Sequence, residues 1–373
     1  MAKSVFRKFF KWFFITLNIF VCIAFLLACL APYLNPAHWW LIGFLGLSVP
    51  YLIILLIFSI IFWLIIKPIF FLIPFFSLLI GWNQMSVLFA THFHSDFNNN
   101  KPNSVLRIVD WNVASMYGLS NDKEIKKHDR TEIANLILKQ NPDIICLQEF
   151  NDSYTQGAEA DNIGLFTSQF PYYFFSKDYE KRNGFYLAGS IIFSKYPIID
   201  SGKIKYPGNI AESLIYIDVK KNNDTIRIYT LHLQSFLFKS NDYANMEKIK
   251  DQDQEALAAS KNLFGKMKLA FTRRGIQAET VRTETDKSPY PCIVCGDFND
   301  VPNSFTYFHI RGQRQDAFLA KSFGVGRTYI ALAPTLRIDY ILPDNNFNVH
   351  QFEMIDENLS DHLMLISDMS LKK

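Results

Sequence analysis

The sequence predicts an α/β domain that follows a strongly apolar, helical N-terminal segment. Two observations support this prediction. No Lys, Arg, Asp or Glu occurs between Lys11 and Lys67, or between Lys67 and Asp96. After about residue 105, short runs of β-branched and other apolar residues alternate with segments of helical periodicity, as in α/β proteins. The chain of 373 residues is long enough for a full-sized domain and an additional segment.

Residues 1–90 are predicted to form a membrane anchor with about three transmembrane helices. A spanning helix needs about 20 apolar residues, so the first charge-free stretch is too long for one helix and suits two. We place these spans at Trp12–Ala31 and Leu41–Ile66, joined by the turn Pro32–His38. A third span is predicted at Ile69–Trp82, which is short and contains Pro74.

The basic residues predict how the anchor is oriented. Lys3, Arg7, Lys8 and Lys11 precede the first span, the next loop carries no Lys or Arg, and Lys67 follows the second span. The positive-inside rule places both basic groups in the cytoplasm. Three spans then deliver the C-terminal domain to the outer face, whereas two would leave it in the cytosol. We expect a multi-pass protein of a cell membrane, of the bacterial inner-membrane kind, with an extracytoplasmic domain.

Two other interpretations of the N-terminus stay open. The basic start and apolar run of Lys3–Leu30 fit a cleaved signal peptide, although the later apolar spans would still anchor the chain. The tetrapeptide Leu26–Cys29 also fits a rough lipoprotein cleavage box. The long apolar segment that follows it favours the transmembrane interpretation.

The remaining chain is predicted to contain a linker and one folded domain. Residues 91–104 are polar and rich in Asn and His, which is typical of a linker, and residues 105–373 form the domain. The first 95 residues hold five basic and no acidic side chains, so 33 basic and 35 acidic residues remain, a net charge of −2. The domain therefore lacks the basic balance of proteins that grip long nucleic acids.

Hydrophobic patterns predict the order of the elements in this domain. The predicted strands are Val105–Val113, Asp143–Leu147, Ala188–Ser194, Leu214–Val219, Thr225–Leu233 and Cys292–Cys295. The predicted helices are Asp129–Lys139, which Asp129 or Thr131 would cap, and Glu247–Thr280. The spacing of Cys292 and Cys295 resembles a zinc or redox pair. A strand directs these thiols to opposite faces and no second pair completes a site, so we interpret both as buried small hydrophobes.

Polar side chains follow several of these strands where each one ends. Asp297 and Asn299 come directly after the Cys292–Cys295 run, which Gly296 stops. Residues two apart point the same way from a strand, and loops beyond strand ends commonly carry functional residues in α/β proteins. Taken alone, this stretch is best interpreted as a solvated turn after a core strand. The functional interpretation is favoured because fragments of matching chemistry follow other strands.

Six short motifs occur in an order that resembles the endonuclease/exonuclease/phosphatase superfamily over about residues 104–370. They are DWN at 110–112, LQE at 147–149, LHLQ at 231–234, GDFND at 296–300, RIDYIL at 337–342 and SDH at 360–362. The resemblance implies a four-layered α/β/β/α sandwich of the deoxyribonuclease I type, an active site where the strand ends of both sheets meet, and metal-dependent hydrolysis of a phosphate ester.

The resemblance also implies the metal ligands and the groups that act on water and phosphate. Glu149, Asn112 and Asp361 are expected to bind Mg²⁺, a hard cation that takes oxygen ligands, with Mn²⁺ as the alternative. The bound ion would polarise a phosphoryl oxygen. Asp297 is expected to orient or deprotonate the attacking water, and Asn299 to donate its amide to the phosphate.

Two histidines complete the implied site. His362 is expected to contact the phosphate or to shuttle a proton, with Asp339 or Asp361 as the acid that fixes its tautomer. His232 is expected to touch the phosphate, although a histidine in an apolar strand is also an ordinary core residue. Whether Asp297 or a histidine-centred pair is the general base stays open.

The predicted function is a membrane-anchored, divalent-metal-dependent phosphodiesterase. Its substrate is open between nucleic acid, the more common substrate of the superfamily, and a phospholipid head group, which the anchor and the near-neutral domain favour. Four basic residues are candidates for a nucleic-acid rim: Lys181, Arg182, Arg273 and Arg274. Ala114 stands where apurinic endonucleases carry an acid, which counts against DNA repair.

The non-enzymatic alternative is a catalytically silent, membrane-tethered binding or scaffold module of the same fold. The joint presence of Glu149, Asp297, Asn299 and His362 argues against this alternative, because an inactive relative is expected to lose some of these groups.

Overall fold

We describe the protein from a computed structural model that defines residues 2–93, 96–120, 122–153, 161–181, 183–208, 212–238, 242 and 256–372. The helices are α1 Ala2–Ala28, α2 Leu41–Ile66, α3 Leu72–Ile80, α4 Trp82–Leu88, α5 Lys123–Lys139, α6 Ala256–Asp286, α7 Phe305–Arg311 and α8 Ala317–Lys321. The strands are β1 Ala90–Thr91, β2 Leu106–Asn112, β3 Ile144–Ser153, β4 Tyr172–Phe175, β5 Tyr179–Lys181, β6 Tyr186–Ser194, β7 Ile198–Lys205, β8 Ser213–Lys221, β9 Asp224–His232, β10 Cys292–Asp297, β11 Phe323–Gly324, β12 Asp339–Pro343, β13 Phe347–Ile355 and β14 Met364–Leu371.

Two β-sheets form the centre of the domain. The first sheet has seven strands, in the order β13-β14-β2-β3-β6-β4 with β5 also paired to β6, and the second has the order β12-β10-β9-β8-β7. Their facing sides share one hydrophobic core, in which Ile108 and Cys146 of the first sheet pack with Ile228 and Ile293 of the second. The burial of this apolar surface holds the two sheets face to face.

A helical layer covers the outer side of each sheet. Ile133 and Ile137 of α5 join the core on the outer side of the first sheet. Val281 of α6 and Ile310 of α7 join Leu231 and other residues on the outer side of the second sheet. The predicted α/β/β/α sandwich is therefore confirmed.

Most predicted elements are present, with differences at their ends. Helix α5 begins at Lys123, six residues before the predicted start, because the Asp122 carboxylate caps it by accepting hydrogen bonds from the backbone N–H groups of Glu124 and Ile125. Helix α6 runs to Asp286 rather than Thr280. Residues 247–255 of that predicted helix lie outside the described part of the chain.

Strand β3 corrects a second boundary. It was predicted to end at Leu147, but it continues to Ser153. Its pairing with β6 is irregular between Leu147 and Phe150, and Glu149 has a φ of 50° in this interval. A bulge re-aims a side chain without ending the strand, so the polar group after Leu147 does not mark the end of the element.

The two cysteines of β10 behave as predicted. Cys292 joins the core beneath α6 and α7, and Cys295 joins the core between the two sheets. Both side chains are buried, on opposite faces of the strand.

Two N-terminal helical segments, Phe9–Ala28 and Leu41–Ile66, are long and apolar enough to cross a membrane. The first ends three residues before the predicted boundary, and the second matches it. The third predicted span, Ile69–Trp82, is instead a bent pair, Pro68–Ile80 and Trp82–Leu88, with an angle of 66° between its parts. By length and composition, the pair raises the count to three if it forms one span.

The N-terminal helices pack against the sandwich near the start of α2. A Cβ atom on Gly43 would lie 2.5 Å from the ring of Phe271, and one on Gly46 would lie 2.9 Å from the carbonyl oxygen of Asn303. Only glycine permits so close an approach. On α4, Gln84 accepts hydrogen bonds from the Asn303 amide through its backbone oxygen and its Oε1 atom.

Two further contacts connect the N-terminal segment to the domain. The Nδ2 amide of Asn35, in the loop between α1 and α2, donates to Glu279 of α6 over 3.1 Å. The predicted linker begins with the short strand β1, which pairs with β11.

Candidate active site

The register of the second sheet brings three of the predicted residues side by side. Asp297 ends β10 opposite His232 at the end of β9 and opposite Asp339 at the start of β12. The preceding Gly296 has a φ of 133°, and a Cβ atom there would lie 2.1 Å from the carbonyl oxygen of Leu231. Glycine is thus required for the strands to approach at this point.

The carboxylate of Asp297 is buried and held by three N–H donors. Its Oδ1 accepts the backbone N–H of Asn299 at 2.7 Å, and its Oδ2 accepts the side-chain amides of Asn299 and Asn112, each at 3.1 Å. Burial and the nearby charge of Asp339 raise the pKa of Asp297 to about 6, although the neighbouring histidines act in the opposite direction.

His362, which follows the SDH motif's acid, pairs with Asp339. Its Nδ1 donates to both carboxylate oxygens of Asp339 at 3.0 Å, while its Nε2 lies 3.8 Å from Oδ2 of Asp297. Burial disfavours the protonated ring, but the charges of Asp339 and Asp297 and the hydrogen bond to Asp339 outweigh it and raise the pKa of His362 to about 10. Of the two predicted orienting acids, Asp339 therefore takes this position.

Glu149 and Asn112 come to the site from the first sheet. The bulge in β3 turns the Glu149 side chain towards the second sheet, where its Oε1 lies 3.8 Å from Nε2 of His232 and accepts the Asn112 amide at 3.1 Å. Asn112 was expected to offer an oxygen to the metal. In the structure, its nitrogen faces Glu149 and Asp297, and its oxygen accepts the backbone N–H of Ala114.

His232 is placed to meet a ligand. Its Nε2 is buried, lies 3.6 Å from Oδ2 of Asp297, and makes no hydrogen bond within the described part of the chain. Burial lowers the affinity of the ring for a proton, but Asp297 and Glu149 outweigh this effect, so the pKa of His232 is raised.

Asp361 and Asn299 lie at the mouth of the same site. Asp361 is half-buried and lines the pocket with Glu149. Within the described part of the chain, its carboxylate makes no hydrogen bond to the ring of His362. Both hydrogen bonds that the Asn299 amide donates end on protein groups, Asp297 and the carbonyl of Leu233. Its predicted donation to a phosphate would replace one of these bonds.

Several supporting residues were not predicted. Trp111 donates its indole N–H to the carbonyl of His362 at 2.7 Å, and Ser360 donates to the carbonyl of Asn112 at 2.8 Å, so both motifs are tied together. Behind them, the buried Gln148 amide donates to Asp110. Trp111, Gln148 and Ser360 belong to the DWN, LQE and SDH motifs, so their positions in these motifs could have indicated their supporting role.

The candidate site opens into a cavity of about 310 Å³. Its polar lining includes Glu149, Asp297, Asn299, Asp361 and His362. Its apolar lining includes Leu47, Phe236, Leu237, Phe238, Leu332 and Leu336. Hydrophobicity alone did not predict this apolar lining, because its residues come from α2 and from two loops that are distant in sequence.

Burial removes one of the four candidates for the predicted basic rim. Arg274 is fully buried, with Nε 3.2 Å from Oδ2 of Asp300, and therefore cannot contact a strand of nucleic acid. Arg273 donates to the side chain of Gln234, and Lys181 lies over the ring of Tyr179. The fourth candidate, at position 182, lies outside the described residues.

The donor atoms in the site suit a hard divalent cation. Ligand atoms of Asp297, Asp339 and His362 lie within 4.8 Å of one another, and the Glu149 and Asp361 carboxylates line the adjoining cavity. Carboxylate oxygens are the ligands that Mg²⁺ and Mn²⁺ prefer. A cation would also relieve the mutual repulsion of these closely spaced acids.

Comparisons with known proteins identify the family of this chain. A family model described as the endonuclease/exonuclease/phosphatase family matches residues 111–362, and a second, described as a domain of unknown function, matches residues 8–88. A search of curated proteins found no significant match.

Solved structures show the same fold. An endonuclease/exonuclease/phosphatase from Beutenbergia cavernae is 17% identical, with a TM-score of 0.51 and coverage of 72% of both chains. The human Nocturnin catalytic domain is 20% identical, with a TM-score of 0.51 and coverage of 72% of this chain and 94% of that one. A family protein from Leptotrichia buccalis is 14% identical, with a TM-score of 0.50 and coverage of 71% and 100%. Because the family model spans more than half of the sequence, this chain belongs to the endonuclease/exonuclease/phosphatase family.

Proposed function

We propose that this protein is a membrane-anchored, divalent-metal-dependent hydrolase of phosphodiesters. One observation carries the proposal: side chains from strand ends of both sheets converge on a single cavity. Glu149 reaches it from the first sheet and Asp297 from the second, and His362, which pairs with Asp339, also lines it. Closely spaced acids and histidines, of which Asp297, Asp339 and His362 are buried, are typical of catalytic sites.

Glu149 and Asp361 would hold the metal, with Asn112 as a third ligand if its amide group turns over. Mg²⁺ is the proposed ion and Mn²⁺ the alternative. When bound, the ion supplies stabilisation of the negative charge that develops on the phosphoryl oxygens. Both carboxylates line the open cavity rather than the buried layer beneath it, which suits a metal that must also meet a substrate.

The remaining residues would act on water and phosphate. Asp297 would accept the proton of the attacking water, since its three N–H donors fix its position beside the cavity. His362, oriented by Asp339, would donate its Nε2–H to the phosphate. His232 would bind a second phosphate oxygen, because its Nε2 lies beside Asp297 and makes no hydrogen bond within the described residues. Asp339 is a positioning residue.

We also propose that three spans place the catalytic domain outside the cell membrane. Lys11 and Lys67 both lie over the ring of Phe70, so two basic residues share one end of the helix bundle. The loop with Asn35 contacts the catalytic domain at the other end. The positive-inside rule assigns the lysine end to the cytoplasm. The bent pair α3–α4 would then return the chain to the outer side.

A hydrolysis assay on the full-length protein in detergent tests the proposed activity. We expect Mg²⁺-dependent cleavage of bis(4-nitrophenyl) phosphate that EDTA abolishes. Glu149→Gln, Asp297→Asn and His362→Ala should each reduce the rate at least ~100-fold. Glu124→Gln, on the exposed start of α5, is the matched control and should retain native activity. A folded protein with no activity would instead indicate the scaffold alternative.

A further inference from the structure

We propose that the substrate is a membrane phospholipid whose phosphodiester is hydrolysed at the membrane surface, with its apolar part entering along α2. This inference rests on the proposed hydrolase activity and specifies its substrate class. It starts from the cavity that joins the catalytic residues to Leu47, a residue of a helix long and apolar enough to span the membrane.

The position of Leu47 along α2 places the cavity beside the bilayer. The first turns of α2 are occupied by the domain, since Phe44 stacks on Phe264 and packs against Phe271 of α6. The 19 residues from 48 to 66 follow Leu47 in α2. At 1.5 Å per residue they extend about 28 Å, close to the ~30 Å hydrocarbon core. Leu47 therefore lies near the boundary between hydrocarbon and head groups.

Two apolar loop residues line the same cavity while remaining exposed. Leu237 is 54% exposed and Leu332 is 39% exposed. Leu237 also has a φ of 53°, a conformation that is strained for a leucine. An exposed apolar surface that continues into a catalytic cavity suits an amphiphilic ligand. Since the cavity holds only about 310 Å³, it would take the glycerol region, and the acyl chains would stay in the bilayer.

A second cavity, of about 160 Å³, shares Glu149 with the first and is also lined by His232. Asp178 and Glu212 line it, together with small and hydroxyl-bearing residues. The charge of Asp178 is balanced by Lys203, which lies 2.8 Å away. Glu212 therefore adds a second negative charge, besides that of Glu149, near the head-group position. This lining favours a neutral or cationic head group over a polyanion.

The charges around both cavities disfavour nucleic acid. Among the described residues, neither lining contains a lysine or an arginine. Proteins that bind nucleic-acid strands depend on such side chains along the backbone and on aromatic stacking. The aromatic pair Phe236–Phe238 is present, but the cationic track is absent from these linings.

The proposed reaction consumes one water per phosphodiester. The water oxygen bonds to phosphorus, one phosphorus–oxygen ester bond breaks, and the leaving alkoxide takes up a proton, giving an alcohol and a phosphate monoester. No oxidant or reductant is needed. Cleavage on the glycerol side releases water-soluble phosphate ester, and cleavage on the head-group side leaves phosphatidate in the membrane.

The test uses the full-length protein reconstituted into phosphatidylcholine vesicles with Mg²⁺. Water-soluble phosphate ester and phosphatidate are both quantified, and bis(4-nitrophenyl) phosphate and a single-stranded DNA oligonucleotide are assayed in parallel. We expect phosphatidylcholine hydrolysis that Glu149→Gln abolishes. Leu47→Trp, which fills the cavity from α2, should lower the ratio of lipid to soluble-diester hydrolysis at least tenfold. Leu55→Trp, an exposed position on the same helix, is the matched control and should keep the native ratio.

The outcomes distinguish an error in the proposed substrate from an error in the proposed hydrolase activity. Mg²⁺-dependent cleavage of the soluble diester without phospholipid hydrolysis would overturn the lipid assignment and leave the proposed hydrolase intact. Preferential cleavage of the oligonucleotide would do the same, as would equal ratios for Leu47→Trp and Leu55→Trp. Loss of all hydrolysis in a folded native protein would overturn the hydrolase itself.

Discussion

Nδ1 of His362 lies 3.0 Å from both carboxylate oxygens of Asp339, and both residues are buried where the two sheets meet. This contact keeps the imidazole protonated at neutral pH, because the pKa of His362 is raised to about 10. A protonated His362 can donate to a phosphate but cannot accept the proton of water. This argument supports our proposal that Asp297, rather than His362, is the general base.

Replacing Asp339 with Asn should lower the pKa of His362 from about 10 towards 6.5, its ordinary value. The reason is that the charge of Asp339 is the largest influence that raises it. Histidine-labelled NMR spectra of the metal-free protein, recorded across pH, measure this shift, and His362→Gln identifies the resonance. A native resonance that titrates near pH 6.5 would contradict the assignment.

The same pair predicts how stability depends on pH. Because the pKa of His362 is higher in the folded state than in the unfolded chain, the pair stabilises the folded protein fully below about pH 6.5. That contribution is lost as the pH rises through about 10. In EDTA, the melting temperature of the native protein should fall more steeply over this window than that of Asp339→Asn. Equal slopes would show that the pair contributes no linked stability.

Metal binding should depend on Glu149. Glu149→Gln removes a carboxylate charge from the proposed metal site, so the dissociation constant for Mn²⁺ should rise roughly tenfold or more, equivalent to about 1.4 kcal/mol. Titration calorimetry measures this, and the Mn²⁺-induced rise in melting temperature should shrink in parallel. Glu124→Gln should bind as the native protein does. Unchanged affinity in Glu149→Gln would place the metal elsewhere.

Gly296→Ala should destabilise the domain by about 3 kcal/mol or more. The added Cβ would lie 2.1 Å from the carbonyl of Leu231, at a φ of 133° that alanine rarely adopts. Gly265→Ala on α6 is the control, because nothing lies within 4 Å of its Cβ. That change should be neutral or stabilise by about 0.5–1 kcal/mol. Thermal unfolding in detergent compares the two, and equal melting temperatures would refute the close approach.

Arg337→Met should loosen the junction between the N-terminal helices and the domain. Buried Arg337 pairs with Asp316 at 2.6 Å and donates to the carbonyl of Val87 at 2.9 Å. Its loss leaves Asp316 buried without its partner, at a cost of about 3–5 kcal/mol. Arg282→Met, which breaks an exposed pair with Asp286, should cost under about 1 kcal/mol. The two melting temperatures test the difference, and a similar loss in both would contradict it.

The sequence by itself determined the local features of this protein. Hydrophobic runs located α2 and the strands, because burial imposes a residue period on each element. The order of the strand-end motifs indicated the fold and nominated the residues that later met at the site. Element ends were less predictable: the Asp122 cap and the bulge at Glu149 each moved a boundary, since capping and bulges depend on a few atoms rather than on a period.

Tertiary structure decided how these residues meet. Strand register placed Asp297 between His232 and Asp339. The tertiary structure also made Asp339, rather than Asp361, the hydrogen-bond partner of His362. Packing buried Arg274 within the domain and brought Leu47 of α2 into the lining of the candidate cavity. Such contacts join residues far apart in the chain, and their free energy comes from complementary surfaces that no single segment contains.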